Sequence, residues 1–138
     1  MFQLLLVDDE DATLQGLASL PWRGIGISRV HCAYTANEAL SILSTHAIDV
    51  VVTDIRMPGK SGLELLTEIK ESQYNPKCIL LSGHSDFAYA QAAIKAQAVD
   101  YLLKPVRDEE LLGAVEKAII RRREEQSKKY VNESSIEA

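Results

Sequence analysis

Five short apolar runs alternating with amphipathic helical stretches predict an α/β domain of three layers, an open parallel sheet with helices on both faces. Three observations carry that prediction. Val50, Val51 and Val52, flanked by Ile48 and Thr53, are too short a run for a helix and rich in β-branched side chains, so they read as a strand buried on both faces. The apolar runs are each followed by residues at helical spacing, and parallel strands need such crossovers, which are right-handed. Polar residues of related chemistry stand at the carboxyl ends of the runs, where open parallel sheets place their sites.

Taken in order, Phe2 to Val7 is the first strand, ending in Asp8-Asp9-Glu10. Leu14, Leu17 and Ala18 then recur at helical spacing until Pro21 closes the segment. Pro21-Trp22-Arg23-Gly24-Ile25-Gly26 is a connection in which Trp22 and Ile25 are expected to pack over the helix end. A second strand runs near Ser28 to Ala33. Thr35, with Glu38 three positions on, has the form of a capping box, and Ala39, Leu40 and Leu43 supply that helix's inner face, with His46 near its end. The valine strand stops at Asp54, and Met57-Pro58-Gly59 makes the turn behind it. Gly62 precedes a helix in which Leu63, Leu66 and Ile69 or Lys70 mark two faces before Asn75-Pro76 breaks it. Cys78 to Leu81 is the fourth strand, ending in Ser82-Gly83. A helix capped by Ser85 or Asp86 follows, with Phe87, Ala90 and Ile94 facing inward. Val99 to Leu103 is the fifth strand, ended by Lys104-Pro105. Asp108, Glu109 and Glu110 place acids in the first turn of a last helix, whose inner stripe is Leu112, Val115 and Ile119.

Composition bounds the function. A chain of 138 residues, 46% hydrophobic and 25% charged, is the ordinary balance of one globular domain. Its net charge of −5 argues against direct contact with nucleic acid, whose phosphates are held by clustered Lys and Arg. No basic leader, cleavage site or long apolar segment is present, so a membrane partner is not expected and the cytoplasm is the expected location. Cys32 and Cys78 have no metal-binding or disulfide spacing and read as reduced thiols. His31, His46 and His84 are scattered along the chain and read as exposed or half-buried side chains rather than ligands. The triplet Arg121-Arg122-Arg123, followed by glutamates, reads as a solvated helix face, and residues 123–138 as a helix extension fraying into a linker or tail.

The strand ends gather Asp8 and Asp9 after the first, Asp54 after the third, Ser82 after the fourth and Lys104 after the fifth. An aspartate after a strand is commonly only a cap or turn residue, and a single serine or lysine says less. Five such residues at the same ends of four strands say more. Carboxylates packed together repel and raise one another's pKa unless a cation holds them ionised, and Mg²⁺ prefers such oxygen donors. Asp54 can then act as a nucleophile toward a phosphoryl group, with Lys104 pairing a phosphate oxygen and Ser82 donating to another.

These residues resemble a known family. Leu5-Leu6-Val7-Asp8-Asp9-Glu10, Thr53-Asp54-Ile55-Arg56-Met57-Pro58, Leu81-Ser82-Gly83 and Tyr101-Leu102-Leu103-Lys104-Pro105 are similar to the four signatures of the bacterial response-regulator receiver domain, over about residues 2 to 122. The resemblance implies a flavodoxin-like sheet of order 2-1-3-4-5 and a cis bond at Lys104-Pro105. It implies that Asp54 accepts a phosphoryl group from a histidine kinase. By the same resemblance Asp9, Asp54 and the main-chain carbonyl of Arg56 would ligate Mg²⁺, Asp8 would act largely through water, and Lys104 would contact the phosphoryl group. Ser82 and Tyr101 would form a switch pair, Tyr101 turning from an exposed to a buried position to reshape the face of the fourth helix, fifth strand and fifth helix. With strands two and four three steps apart, roughly 14 Å, Cys32 and Cys78 could not be bridged.

The Leu20-to-Ile27 connection and the run Ser82 to Ala90 look like receivers joined to AraC-type helix-turn-helix output domains. On that reading residues 1–122 are the receiver and 123–138 lead toward an output domain that this chain lacks. DNA would be met only through that domain, by a homodimer that phosphorylation promotes. Ser82 stands where threonine is commoner, and Arg107-Asp108 where Asp-Pro is frequent. A phosphohydrolase resembling the haloacid dehalogenase family is the main rival, but Asp54-Ile55-Arg56 lacks that family's second acid and follows the third strand rather than the first. An unphosphorylated receiver-like module has no need of the full set of acids, hydroxyl and lysine, and the linker-like end counts against a stand-alone relay. The expected role is a phosphorylated switch rather than a turnover enzyme.

Overall fold

The structure, a computed structural model, describes residues 1–83, 98 and 100–137, with side chains as far as residue 128. Strands β1 (Phe2–Val7), β2 (Ile27–Ala33), β3 (Val50–Asp54), β4 (Lys77–Ser82) and β5 (Asp100–Leu103) form one sheet in the order β2-β1-β3-β4-β5, every pair parallel. The predicted fold and strand order are therefore present. Helices α1 (Asp11–Ala18), α2 (Ala36–Thr45) and α3 (Gly62–Glu71) fill three of the crossovers, and a C-terminal helix spans Asp108–Glu137. The helix expected after Ser85, with Phe87, Ala90 and Ile94, lies outside the described residues, as do His84 and Val99.

Alternation along the strands divides the core in two. Leu4, Leu6, Val50, Val52, Ile79 and Leu81 face α1 and the C-terminal helix, where Leu14, Leu111, Val115 and Ile119 meet them. Leu5, Val7, Val51 and Leu80 face the other way, against Ala39 and Leu43 of α2 and Leu65, Leu66 and Ile69 of α3. All five residues of β3 are buried, because the strand is central and covered on both faces.

Local rules set the element ends. The Thr35 hydroxyl accepts the Glu38 amide at 3.1 Å, while the Glu38 carboxylate takes the amide of Tyr34 at 2.8 Å, one residue earlier than a capping box requires. Ser61 caps α3 in the same way through the amide of Glu64. The Trp22 indole N–H donates to the carbonyl of Leu17 at 2.8 Å, satisfying an open end of α1 while the buried ring packs on the core.

Two expectations are corrected in the C-terminal helix. Leu111, not Leu112, is the buried leucine of its first turns, with Leu112 half-buried beside it, because Ala114, Val115 and Ala118 rotate the inner stripe by one residue. The arginine triplet is more than a solvated face. Arg122 donates through Nε to Asp49 Oδ1 at 3.3 Å and through Nη1 to the carbonyl of Asn75 at 2.7 Å, and Arg123 lies over the Phe2 ring at 5.5 Å. Lys77 pairs with Glu125. These contacts strap the helix across the amino-terminal edge of the sheet, where Asp49 also accepts the amide of Gln3 at 2.9 Å. The three predicted histidines are not all scattered in space either: the rings of His31 and His46 are 4.5 Å apart.

Candidate functional site

The strand order brings the ends of β1, β3 and β5 to one crevice. Register places Val7 beside Thr53 and Asp54 beside Leu81, while the Lys104 amide donates to the carbonyl of Ser82 at 2.7 Å. One residue further along each chain lie Asp8 and Ser82, so a short run of backbone positions all the predicted side chains.

Asp8, Asp9 and Asp54 each offer a carboxylate oxygen within 4.8 Å of the others. Asp8 is 2% exposed and Asp54 8%, whereas Asp9 lies open to water. Lys104 reaches into the group. Its Nζ lies 2.9 Å from Asp54 Oδ2 and 4.0 Å from Asp8 Oδ2, beyond hydrogen-bond reach of the second. The Lys104-Pro105 bond is cis, as the resemblance implies.

The two oxygens of Asp8 fare differently. Oδ1 accepts the amide of Glu10 at 2.9 Å, and Oδ2 is buried with no hydrogen-bond partner. Burial pushes the Asp8 carboxyl above its ordinary range; the Glu10 amide opposes that, and the neighbouring charge of Asp54 adds to it. A buried carboxylate oxygen without a donor is costly, and a hard cation relieves it. Three carboxylates, one of them with an orphaned oxygen, fit Mg²⁺ better than any thiolate- or imidazole-preferring ion. Arg56 lies two residues past Asp54 in the loop after β3, with its side chain exposed.

Ser82 is fully buried. Its hydroxyl donates to the carbonyl of Gly83 at 2.9 Å, which leaves the Tyr101 hydroxyl, 2.8 Å away, to donate to Ser82 Oγ. Tyr101 is half-buried in this arrangement, so the exposed starting position expected for it is corrected. A phenol needs a partner when it packs on a core, and Ser82 supplies one.

Two residues that position Asp54 were not singled out from the sequence. Thr53 donates its hydroxyl to the carbonyl of Asp54 at 3.0 Å. Gly62 donates its amide to the carbonyl of Ile55 at 2.8 Å, and a Cβ built on it would stand 2.2 Å from the Asp54 carbonyl oxygen. The start of α3 thus packs directly on the backbone of the acid. A glycine at the first position of a helix, right after a turn, is the signal that was available.

Comparison with known proteins agrees with this geometry. The response regulator receiver domain family matches residues 4–116. The response regulator protein TodT of Pseudomonas putida is 41% identical over 116 residues, which are 84% of this chain and 50% of that protein. The transcriptional regulatory protein HptR of Staphylococcus aureus is 40% identical over 107 residues, 77% of this chain and 42% of that one. The chain therefore spans about half the length of these relatives, or less. Among solved structures, a receiver domain protein from Clostridium thermocellum superposes with a TM-score of 0.81 at 37% identity, covering 89% of this chain and 98% of that one. A two-component transcriptional regulator AraC from Clostridium phytofermentans does so with a TM-score of 0.84 at 33% identity, covering 91% and 98%.

Proposed function

The chain belongs to the response regulator receiver family of two-component systems, and from that premise we propose that it is a phosphorylation-controlled switch whose acceptor is Asp54. The observation that carries this reading is the meeting of Lys104 Nζ with Asp54 Oδ2 beside the orphaned Oδ2 of Asp8. An acid held between a cation and two further acids is prepared to be a nucleophile rather than a cap.

Asp8, Asp9 and Asp54, with the main-chain carbonyl of Arg56, would hold Mg²⁺, which when bound supplies positive charge to the carboxylates and to an incoming phosphoryl group. A carboxylate oxygen of Asp54 attacks phosphorus, the new O–P bond replacing the N–P bond of a phosphohistidine on the partner kinase, whose imidazole leaves with the electron pair. Lys104, already paired with Asp54, turns its charge to a phosphoryl oxygen without leaving the crevice. Ser82 exchanges its bond to the Gly83 carbonyl for one to a second phosphoryl oxygen. To make that bond the Ser82 oxygen has to move, and Tyr101, whose hydroxyl donates to it, must repack. Driving a two-state equilibrium from 1:99 to 99:1 takes about 5.5 kcal/mol, while charge-assisted bonds contribute about 1.5–3 kcal/mol each, so bonds from Ser82, Lys104 and one amide reach that figure when each contributes about 2 kcal/mol.

In this reading residues 1–122 are the receiver and 123–138 lead toward an AraC-type output domain carried by a longer protein. The face around β5 would favour a homodimer once Asp54 is modified, setting two DNA-binding domains on paired half-sites. Each modification is a switching event, not a turnover. No described helix is long and apolar enough to cross a membrane, and a cytoplasmic kinase domain is the expected partner.

Intact-mass measurement after incubation with Mg²⁺ and a small phosphodonor tests the assignment. One added phosphate is expected, lost in Asp54→Asn and in excess chelator. Labelling that survives both would overturn it. Sedimentation of the labelled protein, with Ser82→Ala alongside, tests the switch: tighter association only where Ser82 is intact is the expected result.

A further inference from the structure

His31 lies on the outer strand β2, level with Leu5 and Val51, and His46 caps the end of α2; nothing in the spacing of the two residues along the chain joins their imidazoles. Their ring centroids are 4.5 Å apart with planes inclined at 52°. Each ring has one nitrogen occupied. His31 Nε2 lies 2.9 Å from Gln3 Oε1, and an amide oxygen only accepts, so the proton of His31 sits on Nε2. His46 Nδ1 lies 2.9 Å from Thr45 Oγ1. The Thr45 hydroxyl also has carbonyls within reach of its own proton, those of Ser41 at 3.2 Å and Ile42 at 3.3 Å; when it donates to them its oxygen accepts, and His46 then carries its proton on Nδ1. That pair of tautomers leaves a lone pair on His31 Nδ1 and another on His46 Nε2. Outer hydrogen bonds of this kind orient the histidines of metal sites.

From this geometry we infer that His31 and His46 form a two-imidazole chelate for a divalent first-row metal ion of the Cu²⁺ type. The spacing favours that ion over zinc. With metal–nitrogen bonds of about 2.0 Å and about 1.2 Å more to each ring centre, centroids 4.5 Å apart subtend an angle of about 90° at the metal, whereas a tetrahedral ion would hold them roughly 5.2 Å apart. Right-angled pairs of imidazoles belong to tetragonal Cu²⁺, which also stands highest in divalent affinity. Water would complete the coordination, since both rings are only half-buried. Burial, then His46 and then Arg29 depress the proton affinity of His31, and the nearby charge of Arg29 works against any cation and sets the site below a fully protein-ligated one. A bound ion would tie the outer strand of the sheet to the link between α2 and β3.

The test is Cu²⁺ titration of the chain without any histidine tag, read by electron paramagnetic resonance and by calorimetry. The expected spectrum shows hyperfine coupling to two imidazole nitrogens, and His31→Gln and His46→Gln should each weaken binding at least ten-fold. His84→Gln, which removes the third histidine of the chain, and Asp9→Ala, which alters the acid cluster, should leave that binding unchanged. A one-nitrogen spectrum from the unaltered protein, equal affinity in His46→Gln, or loss of binding in Asp9→Ala would overturn the proposal. The wild-type spectrum decides the matter even if a histidine variant folds poorly.

Discussion

Replacing Gly62 by alanine should damage the proposed acceptor site more than the fold. The added Cβ would begin 2.2 Å from the Asp54 carbonyl oxygen and 3.0 Å from both the Asp54 carbonyl carbon and Ile55 Cα. Ordinary contact needs about 3.4 Å or more, so α3 and the end of β3 must part by roughly 1 Å. Neither side yields easily. The Gly62 amide is bonded to Ile55 O at 2.8 Å, the Ile55 amide to Leu81 O at 3.1 Å, and the Asp54 carbonyl to the Thr53 hydroxyl. Overpacking of this kind costs about 1–3 kcal/mol, while a displacement of about 1 Å in a reacting group can cost a factor of about 100 in rate. Urea denaturation and the rate of phosphodonor labelling, measured on the same preparation, separate the two. The control is Gly113→Ala in the C-terminal helix, where a new Cβ meets nothing within 4 Å and the gain should be about 0.5–1 kcal/mol with labelling untouched. If Gly62→Ala labels at the wild-type rate, the packing of α3 on Asp54 does not position the proposed acceptor.

Three further outcomes follow from the geometry. Asp8→Asn should stabilise the protein in chelator: the folded state raises the Asp8 pKa, so its ionised form costs stability at neutral pH, a cost relieved as pH falls through the raised value. Added Mg²⁺ should raise the melting temperature of the wild type and do so less for the variant; equal shifts would remove Asp8 from the ion's surroundings. Cys78, buried and with its thiol pushed up to about 12, should resist alkylation at pH 8 while half-buried Cys32 reacts, and mass analysis of the native protein showing Cys78 labelled first would contradict its burial. Arg122→Ala removes the bonds to Asp49 and Asn75 and should cost about 1.5 kcal/mol in urea denaturation, the low end for bonds to a charged group because the arginine keeps access to water. No loss of stability would mean that the strap contributes nothing to folding.

What the sequence made legible was whatever repeats or stands at a chemically marked place. The valine run of β3 could only be a central strand, and once it was, Asp54 had to lie at a strand end with Asp8 and Lys104 beside it. The cis peptide and the strand order came with the signatures that carry those residues. Less legible was anything decided by one residue of register. Leu111 and Leu112 are equally apolar, and only the small Ala114 and Ala118 choose between them. Contacts between distant segments were hidden altogether: nothing local to Arg122 announces Asp49, 73 positions earlier, and His31 and His46 meet only because β2 borders the end of α2. The position of Tyr101 was misjudged because the hydroxyl of Ser82 was assigned to the crevice alone, when it also serves as the phenol's acceptor.

The strap across the amino-terminal edge of the sheet turns the C-terminal helix into a lever. From Asp108 to Glu137 it measures about 45 Å at about 1.5 Å per residue, and its last strap contact is at Glu125, leaving an arm of about 18 Å. A tilt of about 10° about that fulcrum carries the tip sideways by about 3 Å over such an arm. Asp49, which anchors the fulcrum through Arg122, sits immediately before β3, and Asp54 closes that same strand. The central strand thus has the acid cluster at one end and the pivot at the other, so a displacement carried along β3 would reach the helix tip as an angle rather than as a local shift.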